Sequence, residues 1–154
     1  MNMSDEGLAM TKHFEGCRLE AYQDQSGIWT IGYGRTRGVL SGDECSPVVA
    51  DCWLRTDIQF AADGVSNCLK VPLSQHAFDA LVDFVFNLGR GALRGSTMLK
   101  KLNAGYYELA ALEFPKWNKV RINGVLTVSP GLTRRRLAEQ AMFLGKPWEE
   151  LRGE

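Results

Sequence analysis

The spacing of apolar and polar positions changes period several times along the chain, and each change marks an element. From about Ser4 to Cys17 the period is helical. Leu8, Thr11 or Lys12, and Glu15 lie near one another, Ser4 or Asp5 can cap the start, and Gly16 suits the end. From Tyr22 to Thr36 the period drops toward two, with Ile28, Thr30, Gly32 and Gly34 on one parity and Trp29, Ile31 and Tyr33 on the other. Gln25-Ser26-Gly27 supplies a turn, so a small antiparallel sheet of two or three strands is expected. Ser46-Pro47 is a helix start, followed by a stripe of Leu54, Ile58, Ala61 and Val65. Val71-Pro72-Leu73 breaks the chain and Ser74 caps the next helix. That helix carries Ala77, Phe78, Leu81, Val82, Val85 and Phe86 over a wide face, and it belongs at the centre of a core. Shorter helices follow near 96–103, 106–117 and 132–144. The pattern predicts an α+β chain, mostly α, with a small sheet.

At 154 residues the chain suits one domain, with a sheet-bearing part over about 1–68 and a helical part over about 69–154. Apolar residues make up 45% and charged residues 23%, and the formal net charge is zero. Nothing global therefore points to nucleic acid or to an anionic membrane. Arg134-Arg135-Arg136 is the one basic cluster, and a solvated helix face is the plain reading of such a run. No apolar stretch approaches the ~18 residues that span a bilayer, and the N-terminus lacks a signal peptide's basic start and apolar middle. Cys17, Cys45, Cys52 and Cys68 form no metal-binding spacing; free, buried thiols are expected.

The most informative segment is Phe14 to Thr36. It sets Glu15, Asp24 and Thr30 at E-x8-D-x5-T spacing, the first near a helix end and the others in a Gly-rich hairpin. Two carboxyl groups on adjacent elements, with a hydroxyl beside one, suit glycosidic hydrolysis. One carboxyl protonates the leaving oxygen and the other holds or replaces the attacking water. Each residue also has a plainer role. Glu15 could be a solvated surface acid, Asp24 an Asx-turn residue before Gly27, and Thr30 a good strand former. Two glycines in one strand, Gly32 and Gly34, call for close approach by a ligand or by backbone.

The surrounding residues resolve the choice. Glu15-Gly16, Leu19, Ala21-Tyr22, Asp24, Gly27, Thr30-Ile31-Gly32-Tyr33-Gly34 and Thr36 together resemble the active-site segment of phage-type lysozymes, the muramidase endolysins of glycoside hydrolase family 24. Gln75 to Val82, Phe86-Asn87-Leu88-Gly89, Ser96-Thr97, Leu99 to Asn103, Gly105, Trp117, Pro130-Gly131-Leu132 and Arg134-Arg135-Arg136 continue the resemblance in order, from about Glu6 to Leu144.

The resemblance implies a lysozyme-like fold, with a sheet lobe joined by a helix to a helical lobe. It implies hydrolysis of the β-1,4 bond between N-acetylmuramic acid and N-acetylglucosamine in bacterial peptidoglycan, with no cofactor. Glu15 is the general acid, and Asp24 and Thr30 position water, in the single inverting displacement usual for the family. Gly32 and Gly34 would admit the glycan, and Phe86 and Ser96 match cleft positions, with core packing and helix capping as their plainer roles. Arg135, or else Arg134, would reach Glu15 as a positioning group. A monomer is the default at this size. The chain would accumulate in the host cytoplasm and reach the wall through a holin. Arg35 stands where many relatives have His, a position that supports structure through an ion pair. A lytic transglycosylase needs the acid but not Asp24, and a non-catalytic wall-binding protein needs neither. The presence of all three residues favours hydrolysis over both.

Overall fold

The computed structural model describes residues 1–151. Helix α1 (Asp5–Glu15) leads into a hairpin of β1 (Arg18–Gln23) and β2 (Trp29–Gly32). The long helix α2 (Pro47–Cys68) follows, then α3 (Gln75–Leu88) and three short helices, α4 (Arg90–Arg94), α5 (Thr97–Asn103) and α6 (Tyr107–Ala111). A second hairpin, β3 (Lys119–Ile122) and β4 (Val125–Val128), precedes the last long helix, α7 (Pro130–Phe143). Short 3-10 turns occupy Phe114–Lys116 and Glu149–Leu151. Among the described residues both sheets are antiparallel pairs, and no helix is long and apolar enough to cross a membrane.

The serine caps form as the sequence predicts. Ser46, Ser74 and Ser96 each accept a backbone N–H of the first turn of α2, α3 and α5. Ser4 caps α1 and is itself held, since its backbone N–H donates to Asp79 Oδ1 at 2.9 Å. Gly7 lets α1 sit directly against α3, because a Cβ there would lie 2.7 Å from the Asp79 side chain.

Helix α3 is the centre, as its apolar face predicts, with α2 and α7 packed on it. Met10, Phe78, Phe84, Leu102 and Phe114 lie within this core, fully or almost fully buried; each such side chain contributes about 1.5–3 kcal/mol of transfer free energy. Trp117 packs edge-on against Phe84, with ring centroids 5.4 Å apart, so its role is in the core.

Three expectations need correction, and one element goes unannounced in the sequence. The first strand begins at Arg18 rather than Tyr22, because the chain turns back immediately after Gly16. The helix expected over 106–117 stops at Ala111, and Pro115 carries the chain into a 3-10 turn. The segment 119–128 is a hairpin that the hydrophobic pattern does not announce. The cysteines are free, but not buried: Cys17 and Cys52 are exposed, and Cys45 and Cys68 are half-buried.

Candidate active site

A cleft of about 750 Å³ runs between the β1–β2 hairpin and the helices, within the usual range for a ligand site. Glu15, Asp24 and Thr30 all line it. With them are Tyr22, Gly34, Arg35 and Arg37 from the hairpin side, Asp57 and Phe60 from α2, and Phe86, Asn87 and Arg90 from α3 and α4.

Glu15 is the last residue of α1, and Gly16, at φ +65°, lets the chain leave the helix there. Its carboxylate is divided between two environments. Oε1 accepts from Arg135 Nη1 at 2.8 Å. Oε2 lies beside Gly34, where an added Cβ would stand 3.0 Å away. Gly34, at φ +89°, thus keeps the space in front of the acid clear.

Asp24 is organised by its own turn. Its Oδ1 accepts from the backbone N–H of Ser26 at 2.8 Å and of Ile28 at 2.9 Å. The plain Asx-turn reading is therefore correct, and it coexists with a place in the cleft. Thr30 is buried at 4% exposure, and its hydroxyl donates to the Ile28 carbonyl at 3.0 Å. The oxygen keeps acceptor capacity for another donor.

Arg135, not Arg134, reaches Glu15. Arg134 is exposed and lines a separate groove with His13 and Phe14. The solvated-face reading of the arginine run therefore fails for two of its three members. Arg135 and Arg136 are buried because each meets acids inside the core. Arg135 Nε and Nη2 donate to Asp83 Oδ2 and Oδ1 at 3.0 and 2.9 Å, while Nη1 serves Glu15. Thr11, one turn before Glu15, donates to Asp83 Oδ1 at 2.7 Å. One guanidinium fork thus ties α1, α3 and α7 together behind the acid.

Burial alone would raise the Asp83 carboxyl. The Arg135 charge and hydrogen bonds from Glu139, Arg135 and Thr11 outweigh it, holding Asp83 well below the usual carboxylate range. Burial would likewise lower Arg135, but Asp83, Glu15 and Glu139 overcome it and hold the guanidinium above its ordinary value. Glu139 goes the other way. Burial pushes it well above its ordinary value; Arg136 opposes this, while the charge of Asp83 and their shared hydrogen bond reinforce it. Two arginines, Arg135 and Arg136, thus meet three acids, Glu15, Asp83 and Glu139, in one network. Arg136 also donates to Asn87 Oδ1 at 2.7 Å and to Glu139 Oε1 at 2.9 Å.

Phe86 is half-buried on the cleft wall, as its cleft reading predicts. Gly32 and Ser96 are not brought to the cleft. Gly32 is buried against α2, its missing Cβ facing Ala50 and Trp53 at 3.5 and 3.6 Å. Ser96 is buried, donating to the Leu93 carbonyl and accepting from the Leu99 N–H, so its plainer role as a cap prevails. Arg35 lies over Trp53, its guanidinium 5.0 Å from the ring centroid and 3.9 Å from Asp57, which fits a supporting role.

Sequence reasoning alone misses Asp83, Glu139 and Thr11. Asp83 does leave a signal, a lone charge inside the apolar run Leu81-Val82-Asp83-Phe84-Val85-Phe86. An acid on the buried face of a central helix requires a cation.

Comparison with known proteins places the fold. Residues 12–139 match the family model described as "Phage lysozyme". The endolysin of Acyrthosiphon pisum secondary endosymbiont phage 1 is 46% identical over 93% of the chain and 98% of its own length. The endolysin from Escherichia coli O157:H7 phage FAHEc1 superposes with a TM-score of 0.90 at 38% identity, covering 94% of each chain. A mutant of the P22 lysozyme superposes with a TM-score of 0.80 at 38% identity, over 94% of this chain and 99% of that one. A match to the family model over most of this chain, joined to relatives that align almost end to end, means that the chain belongs to the phage lysozyme family.

Proposed function

We propose that this glycoside hydrolase cleaves the β-1,4 bond between N-acetylmuramic acid and N-acetylglucosamine, with Glu15 as general acid and Asp24 and Thr30 holding the nucleophilic water. The observation that carries the reading is the convergence of all three on one cleft. Glu15 Oε2, the oxygen on the Gly34 side, is the proton-donating atom, and Arg135 fixes the carboxyl through Oε1. A bare cation beside a general acid would oppose protonation. Here Asp83 takes two of the guanidinium's donors and shares its charge. Asp24, oriented by two backbone N–H groups, and the Thr30 oxygen accept from water and direct it at the anomeric carbon in one inverting step. Phe86 packs along the glycan, and Arg135 positions the acid. The enzyme acts as a monomer and reaches the wall from the host cytoplasm through a holin.

The test is the mass of soluble fragments released from purified peptidoglycan, with folded Glu15→Gln as control. Fragments ending in a reducing muramic acid, absent with the variant, support the assignment; the first-formed anomer must be inverted. Anhydro ends, lighter by one water, would make the protein a transglycosylase and remove the role given to Asp24. No fragments from the wild type would reduce it to a wall-binding scaffold.

A further inference from the structure

The hairpin β3–β4 is out of keeping with the rest of the surface. Its register pairs Val120 with Thr127 and Ile122 with Val125 on one face, and Lys119 with Val128 and Arg121 with Leu126 on the other. Val120, Ile122, Val125, Leu126 and Val128 are all exposed, so apolar side chains project from both faces. A two-stranded ribbon in water is marginal without something to cover it, and exposed apolar clusters of this kind mark contact surfaces.

The charge around it says what the cover is. Between Glu113 and Glu139 the chain carries six cations and no acid, although its 18 cations and 18 acids balance overall. Arg135 and Arg136 are spent inside the core, and Lys116 pairs with Glu113. Lys119, Arg121 and Arg134 remain exposed. Lys119 and Arg121 enter no ion pair among the described residues; Arg121 only reaches back to the Gly124 carbonyl. Asn123 and Gly124, both at positive φ, make a tight tip that puts Ile122 and Val125 at the extreme end. Aliphatic side chains at a tip, with cations along the stem, match an acyl–headgroup boundary. They match a glycan poorly, since the strands offer no aromatic ring to stack on a sugar. A second copy is also a poor fit, because strands of four residues are small beside the ~800 Å² per partner of a stable interface.

We propose that the 119–128 hairpin is a peripheral membrane anchor, which seats its aliphatic tip in an anionic phospholipid surface without spanning it. This does not depend on the catalytic assignments. The experiment is co-sedimentation of the full chain with phosphatidylglycerol-rich and with pure phosphatidylcholine vesicles. Two variants accompany it: Ile122→Thr/Val125→Thr, which keeps β-branched side chains and the turn, and Lys119→Gln/Arg121→Gln. Hydrolysis of purified peptidoglycan serves as the fold control and stays unchanged in both, because the hairpin lies outside the cleft lining.

The expected result is binding to the anionic vesicles only. The tip variant weakens partitioning by about tenfold or more, and each cation removed weakens it by roughly fivefold. Failure of the wild type to bind anionic vesicles, or full binding by both variants, overturns the proposal. So does a variant that loses affinity for purified peptidoglycan instead, which assigns the hairpin to the wall. A concentration-dependent dimer in sedimentation velocity that the tip variant abolishes assigns it to a second copy.

Discussion

Glu139→Gln tests the charge balance of the network behind Glu15. Glu139 has no solvent exposure and faces Arg136 and Asp83. If it carries a proton, glutamine is a near replacement: its oxygen accepts from Arg136 and its amide donates to Asp83. The loss at pH 5 should stay within about 1 kcal/mol. The pH dependence follows from the direction of the shift. A carboxyl raised on folding contributes stability that is fully present below its unfolded value, near 4.5, and is lost as pH climbs toward the folded value. That loss runs at about 1.4 kcal/mol per pH unit. Between pH 5 and pH 7 the wild type should therefore lose stability relative to the variant, as read from urea unfolding of both at each pH. Glu139→Leu has no such compensation. It leaves only Asn87 Oδ1 and the Trp117 carbonyl to a guanidinium that is itself fully buried, and should cost about 3–5 kcal/mol. If Glu139→Gln instead loses about 3–5 kcal/mol with little change between pH 5 and pH 7, Glu139 is ionised in the folded protein and the raised-carboxyl reading is wrong.

Arg135→Met should lower Tm by roughly 10 °C, since it leaves Asp83 buried without its cation; an unchanged Tm would mean that Asp83 does not need the pair. Gly34→Ala should cost about 1–2 kcal/mol through its positive φ and lower turnover on peptidoglycan by up to about a hundredfold by displacing Glu15 Oε2, with full turnover the contrary result. Thiol labelling near neutral pH followed by mass spectrometry should modify Cys17 and Cys52 first. Cys45 and Cys68 should lag, because burial pushes both thiols up, and equal rates at all four would contradict this.

The long helices and the active-site hairpin are legible in the sequence because local signals agree with tertiary need. Ser46, Ser74 and Ser96 cap where their spacing predicts, and the apolar face of α3 is the core. The second hairpin is not legible, since Val120, Ile122, Val125 and Leu126 pack against nothing that would impose a clear inside and outside. Within the site, Glu15, Asp24 and Thr30 can be read from spacing and resemblance, as can the Arg at the acid. Gly32 cannot be assigned to the correct side, because strand parity alone does not say which face meets α2. The arginine run misleads for a related reason. A charge run looks solvated unless the acids that bury it are seen, and Asp83 and Glu139 come from distant points of the sequence or from the helix's own next turn.

Helix α2 contributes neither carboxyl to the proposed reaction, yet it separates their anchors. Glu15 is clamped through Arg135 and Thr11 to α3 and α7. Asp24 is held within a hairpin whose Gly32 rests on Ala50 and Trp53, near the start of α2. The 22 residues of α2 span about 33 Å, and bending them moves one anchor relative to the other. Carboxyl separation is what distinguishes water attack from direct attack by the enzyme. In the proposed reaction, the anomer formed would then report on how α2 holds these two anchors apart.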